Sequence, residues 1–285
     1  MEPPVHEIID IHPHVLSADQ AAYPLAPLGG KVSGWASTRP VTAEQYLAAM
    51  DANGIAKAAL VQASTAYGYD NSYVLDSAAR YPDRFAAVAC VDPLAADAAS
   101  TIRALAAHPR SAGIRLFTTG STLPDQAQWL NDEATTPFWT AAADTETPVC
   151  VQMRLGGLDQ LVDVLERFPA ARIVLDHMAY PPIAPGQERA AADQLIPLAA
   201  YPQLYLKMTI RNIEPLATCD AQQFLDPLLA AFGPGRIAWG SNFPAAEQPL
   251  ATLVELARTV LATLPEADRD GIFSGTARKL YPALS

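Results

Sequence analysis

Eight short apolar runs, each followed by a segment of helical periodicity, most constrain what this chain can fold into. The runs are IIDIHPH (8–14), AKAALVQAS (56–64), RFAAVACVD (84–92), AGIRLF (112–117), TPVCVQM (147–153), ARIVLDH (171–177), LYLKMTI (204–210) and RIAWGSN (236–242). Most are unbroken apolar stretches, which is how a parallel strand covered on both faces reads. Among the segments between them, TAEQYLAAMDANG (42–54) carries a Thr N-cap, a Gln at the capping-box position and a closing Gly. DNSYVLDSAARYP (70–82) and GLDQLVDVLERFP (157–169) both stop at proline. AEQPLATLVELARTVL (246–261) and DGIFSGTARKLYPAL (270–284) follow the last run. Eight strand-then-helix units in series predict an α/β fold, a single (β/α)8 barrel. A doubly wound sheet is the alternative, but the chain has no dinucleotide-type glycine fingerprint. No break in composition marks a second domain, so the barrel is expected to span 1–285.

Charge and cysteine usage narrow the setting. The net charge of -11 disfavours nucleic acid or an anionic membrane as partner. It leaves room for a small anionic substrate held locally by a few arginines. No apolar run approaches the roughly 20 residues of a membrane span, and MEPPVHEIID lacks the basic and apolar regions of a secretion signal. Cys90, Cys150 and Cys219 lie far apart without zinc-ligand spacing, and read as reduced residues of a cytoplasmic protein. Barrels of this kind often associate, so a homo-oligomer is an expectation.

Barrel active sites lie at the C-terminal ends of the strands. The first run ends in His12 and His14, which share a face at i, i+2 spacing, with Asp10 on the same parity to support them from below. The second run ends at Ser64, with Tyr67 and Tyr69 just beyond as further donors. The fourth offers Arg115; the fifth, Gln152 and Arg154; the sixth, His177; the seventh, Arg211; the eighth, Asn242. Three of the five histidines thus converge on one rim, the pattern of a metal clamp or of a metal-free catalytic set. Lys207, inside a strand, reads as a partner in a salt bridge inside the barrel, with assistance in catalysis as the alternative. Asp176 alternates to the face opposite His177 and is not expected to orient it. Residues 15–41 form one long Pro/Gly-rich loop, expected to act as a lid or substrate wall through Tyr23 and Trp35. His6 and His108 are assigned no role.

DIHPH, YDNSYVLDSAARYPDRFAAVACVDP, GIRLF, IVLDHM, IAWGSNFP and IFSGTARKLYPAL, in that order and over nearly the full length, resemble the amidohydrolase superfamily. More narrowly they are similar to its amidohydrolase-2 branch. That branch includes the 2-pyrone-4,6-dicarboxylate lactonase type, several sugar lactonases and the aminocarboxymuconate-semialdehyde decarboxylase type. The resemblance implies a (β/α)8 hydrolase. Metal-dependent members hold a divalent ion through the strand-1 pair, here His12 and His14, further histidines on strands 5 and 6, here only His177, and a strand-8 aspartate. This chain departs at two positions: Gln152 and Met153 stand in strand 5 without a histidine, and Asn242 stands where the aspartate would be. An amide is a poor ligand and cannot act as a general base.

The resemblance therefore implies hydrolysis of a lactone or related cyclic ester bearing at least one carboxylate. His12, His14 and His177 would polarise the carbonyl or bind the activated water, and Asn242 would position water or substrate. Arg115, Arg154 and Arg211 would hold the carboxylates, since Arg matches them with a bidentate fork. No cofactor is expected. The alternative is zinc on His12, His14 and His177, serving hydrolysis or non-oxidative decarboxylation. A reading of another class is an inactive, ligand-binding relative.

Overall fold

The computed structural model describes residues 6–118 and 128–285. Eight parallel strands pair in chain order: β1 (Ile8–Asp10), β2 (Ile55–Val61), β3 (Phe85–Cys90), β4 (Ser111–Phe117), β5 (Val149–Gln152), β6 (Ile173–Leu175), β7 (Leu204–Thr209) and β8 (Ile237–Gly240). The ring closes where Ile11 N–H donates to Trp239 O at 3.3 Å and Asn242 N–H donates to His12 O at 3.0 Å. This is the expected (β/α)8 barrel.

Alternation sorts the apolar side chains into two layers. Ile9, Ile11, Val61, Val88, Cys150, Val174 and Ala238 fill the barrel interior, and Leu280, Tyr281 and Leu284 plug it from below. Ile8, Leu60, Phe85, Val151, Leu206 and Trp239 face outward into the helix layer. The helix Ala43–Asn53 has the expected capping box between Thr42 and Gln45, with Gly54 left-handed at its C-terminus. The segment after β1 is not wholly loop: Gly34–Thr38 forms a short helix. Cys90 and Cys150 are buried free thiols, and Cys219 is half-buried. No helix among the described residues is long and apolar enough to cross a membrane.

The strands end earlier than the apolar runs. β1 stops at Asp10 rather than 14, β6 at Leu175 rather than 177, and β8 at Gly240 rather than 242. The polar residues at the end of each run leave the ladder and enter turns, which changes where they point.

Candidate active site

A cavity of about 590 Å³ opens among the strand ends. His14, Ser64, Arg115, Gln152, Arg154, His177, Arg211 and Asn242 line it, joined by Trp35 and Tyr180. His12 lies beneath, fully buried, its ring 5.1 Å from that of His14 and 4.8 Å from that of His177. Tyr67 and Tyr69 are not in the lining. The short helix Ser64–Tyr67 turns the chain away, so the Tyr67 hydroxyl accepts from Ser17 N–H at 2.7 Å. Tyr69 instead borders a smaller hollow with Asp92 and Pro93. Of the two aromatics expected to wall the site, Trp35 stacks on His14 at 5.3 Å, whereas Tyr23 is drawn off to Asp76 by a 2.8 Å hydrogen bond.

Asp10 plays a different part from the one its parity suggests. Ile9 and Ile11 point into the barrel, so Asp10 points to the helix layer. There Tyr46 O–H donates to it at 2.7 Å, while the N–H groups of His12 (3.0 Å) and Ser241 (2.8 Å) donate to its other oxygen. It clamps the ends of β1 and β8 together rather than supporting the imidazoles. The chain bends at Ile11, and that bend brings His12 back inward. Gly240 makes room for it: a Cβ there would lie 2.6 Å from His12 Cβ.

A sharper departure follows β6. His177, Met178, Ala179 and Tyr180 all adopt left-handed φ, between 53° and 58°. Each such non-glycine residue costs roughly 1–2 kcal/mol, so the turn is sustained by its surroundings. Asn212 Nδ2 donates to His177 O at 3.0 Å, and His177 Nδ1 meets Thr209 Oγ1 at 2.7 Å. The turn places Asp176 and His177 on the same side, which corrects the expectation from alternation. Asp176 is fully buried, with Oδ1 2.7 Å from Lys207 Nζ and 3.8 Å from His12 Nδ1, and Oδ2 accepting from Arg115 Nε at 2.9 Å. Lys207 is thus the internal salt-bridge partner expected of it. The signal that could have revealed the turn is Tyr180-Pro181-Pro182, which argues for an early end to the strand.

Electrostatics follow from this triad. Burial pushes the Asp176 carboxyl up, but Lys207 and Arg115 overcome it and hold the group down at about 2. Burial, together with Arg115 and Lys207, drives His12 and His177 well below the ordinary imidazole value. His14 is lowered to about 3, again mainly by burial. All three rings are neutral near pH 7, so each offers one N–H and one lone pair.

The tautomers can be assigned from partners. His14 Nδ1 lies 2.8 Å from Val61 O, and a carbonyl can only accept. The proton is therefore on Nδ1, and Nε2 is a bare acceptor. Thr209 Oγ1 accepts from Arg211 N–H and, as a hydroxyl, is able at the same time to donate its own proton to His177 Nδ1, the arrangement that serves catalysis. His177 then carries its proton on Nε2 and is a donor.

The model of the amidohydrolase family matches residues 9–283. The chain belongs to that family. The amidohydrolase is 30% identical over 209 residues to an L-fucono-1,5-lactonase of Burkholderia ambifaria, covering 68% of this chain and 67% of the relative. Its fold is that of a putative 2-pyrone-4,6-dicarboxylic acid hydrolase from Pseudomonas putida, with TM-score 0.79 and 24% identity over 98% of this chain and 99% of the other. An amidohydrolase from Burkholderia multivorans, solved with bound zinc, superposes with TM-score 0.75 at 21% identity, over 97% and 99% of the two chains.

Whether this amidohydrolase suits a resident ion is a question of its donors. One ligand atom each from His12, Asp176 and His177 lie within 4.8 Å of one another, so Asp176 enters the candidate set where His14 had been expected. Both ring nitrogens of His12 are buried without a hydrogen-bond partner among the described residues. The charge does not fit. Among the described residues Asp176 is the sole anion of the group, and Lys207 and Arg115 already share it. A dication would join a cluster that carries one positive charge in excess, with neutral Asn242 above it. The residues present therefore do not suit a resident divalent ion.

The arginines of the amidohydrolase divide into two kinds. Arg115 is committed to Asp176 and to Gln152 Oε1. Arg154 and Arg211 are exposed on the cavity rim, and neither has a carboxylate partner among the described residues. Arg154 rests its guanidinium over the Tyr180 ring at 5.0 Å, and Gln152 Nε2 donates to the Tyr180 hydroxyl at 2.9 Å. Tyr180, missed in the sequence, thus positions both.

Proposed function

We propose that this amidohydrolase hydrolyses a lactone, or a related cyclic ester, that bears at least one carboxylate. The observation that carries the reading is the pairing of a bare imidazole acceptor, His14 Nε2, with two guanidinium groups on the same cavity that have no carboxylate partner among the described residues. The L-fucono-1,5-lactonase relative supports the same reaction class. Arg154 and Arg211 would draw the carboxylate to the rim and leave the ester carbonyl over the histidines. Water attacks the carbonyl carbon while His14 Nε2 takes its proton. The charge that develops on the carbonyl oxygen meets His177 Nε2–H and the positive field of Arg115. The ring C–O bond then breaks, the alkoxide recovers the proton from His14, and one water has been consumed to yield a hydroxy acid. Asn242, able to donate and accept but not to take a proton, orients the water or the substrate. The reaction uses the protein's own groups, and a strong chelator is expected to leave the rate unchanged. Buried reduced cysteines suit a reducing compartment, which we take to be the cytoplasm.

The test is a proton-release assay over a panel of sugar and pyrone lactones with and without carboxylates. Turnover confined to carboxylated members is expected; preference for neutral lactones, or none turned over, would sink the reading. For an active substrate, Arg211→Ala and Arg154→Ala should each raise KM by about 10–100-fold with a smaller change in kcat, the weight of a hydrogen bond to a charged group. Equal KM in variant and parent would remove that arginine from substrate binding.

A further inference from the structure

Lys207 is hard to explain as a structural residue alone. It lies within β7, fully buried, and its Nζ contacts Asp176 Oδ1 at 2.7 Å and Cys150 Sγ at 3.3 Å. Asp176 needs one cation for neutrality, and Arg115 on Oδ2 already supplies it. A second buried cation leaves the cluster with an excess positive charge, which is costly unless that charge has a use.

The placement of the ammonium indicates the use. Asp176 Oδ1, the oxygen Lys207 holds, is also the one that faces His12 Nδ1 across 3.8 Å. An ion bound by His12, Asp176 and His177 would have to take that oxygen from Lys207 and sit beside the displaced ammonium. The three neutral rings carry no charge to offset it, and neither does Asn242.

We propose that Lys207 is a built-in cation that takes the electrostatic place of a divalent metal and keeps the His12–Asp176–His177 group from binding one. The inference rests on the metal-free reading of the site given above, and adds the residue responsible. Lys207 delivers fixed positive charge beneath the reacting carbonyl without the exchange, loss or misloading to which a bound ion is subject. Removing it should uncover a metal site that the donor atoms already outline.

The experiment compares the full chain with Lys207→Met, both loaded with Zn²⁺ and desalted, by elemental analysis and by competition with a chromophoric zinc chelator. The unsubstituted protein is expected to retain well under one equivalent. Lys207→Met is expected to retain near one equivalent with a Kd at least about 100-fold tighter, and His12→Ala in that background should abolish the gain. If Lys207→Met does not fold, Lys207→Gln takes its place, and the arm with the unsubstituted protein stands alone. Near-stoichiometric zinc on the unsubstituted protein, lost with His12→Ala, would overturn the proposal, and would overturn the metal-free reading as well if activity needed the ion. A lysine variant that binds zinc no more tightly than its parent would overturn this proposal only.

Discussion

Asp176→Asn is expected to destabilise the protein by about 3–5 kcal/mol, because it removes the one anion shared by two buried cations. The near-isosteric amide leaves Lys207 and Arg115 facing each other without compensation. Lys207→Met should behave oppositely: it leaves Arg115 and Asp176 as a neutral pair, so its stability should lie close to that of the parent. Urea unfolding of the two variants against the parent measures both, and equal stability of Asp176→Asn and the parent would show that the triad does not hold the site. The same group sets a pH dependence. The folded Asp176 carboxyl sits at about 2, below its ordinary 3.8. A depressed carboxyl contributes stability that is fully present above its unfolded value. That contribution is lost as the pH falls from about 4 toward about 2. Asp176→Asn should therefore flatten the acid limb of the stability profile.

His14→Gln is expected to lower kcat by about 10²-fold, the low end of the worth of a positioned general base because burial holds the ring at about 3, while leaving the fold intact. Glutamine can still donate to Val61 O but offers no imidazole lone pair to take a proton. Single-turnover and steady-state rates on a substrate of the parent, with circular dichroism as the folding control, decide the matter. A rate within tenfold of the parent would move the base to another residue.

Much of the barrel was legible because its strands are unbroken apolar runs and its helices carry caps and proline stops. The capping box at Thr42 and Gln45 appears as written. His14, Arg154, Arg211 and Asn242 also reach one cavity, because residues at strand ends must emerge on the same rim. The errors cluster where the chain leaves regular geometry. Strict alternation separates Asp176 from His177, yet Asp176 keeps the inward parity of Val174 and the four left-handed residues that follow bring His177 to the same side. None of the four is glycine, the residue by which such a turn usually announces itself. Asp10 failed for the related reason that a bend at Ile11 separates its parity from that of His12. Tyr67 and Tyr69 lie only a few residues past Ser64, but one helical turn is enough to send them elsewhere. Arg115 lines the cavity as expected, although what binds it is Asp176, a partner that alternation had hidden.

The triad of Asp176, Lys207 and Arg115 also bears on how such a site can drift over generations. Losing Asp176 strands two cations, whereas losing Arg115 leaves Lys207 and Asp176 as one cation and one anion. Losing Lys207 leaves the same balance with Arg115, and in addition frees Asp176 Oδ1. Of the three single-step exits, selection for a folded protein closes the loss of Asp176 and leaves the loss of either cation open. A lineage that gains an ion here must first lose Lys207, because only that change frees Asp176 Oδ1 beside His12, so the order of mutations is set by which oxygen each cation holds.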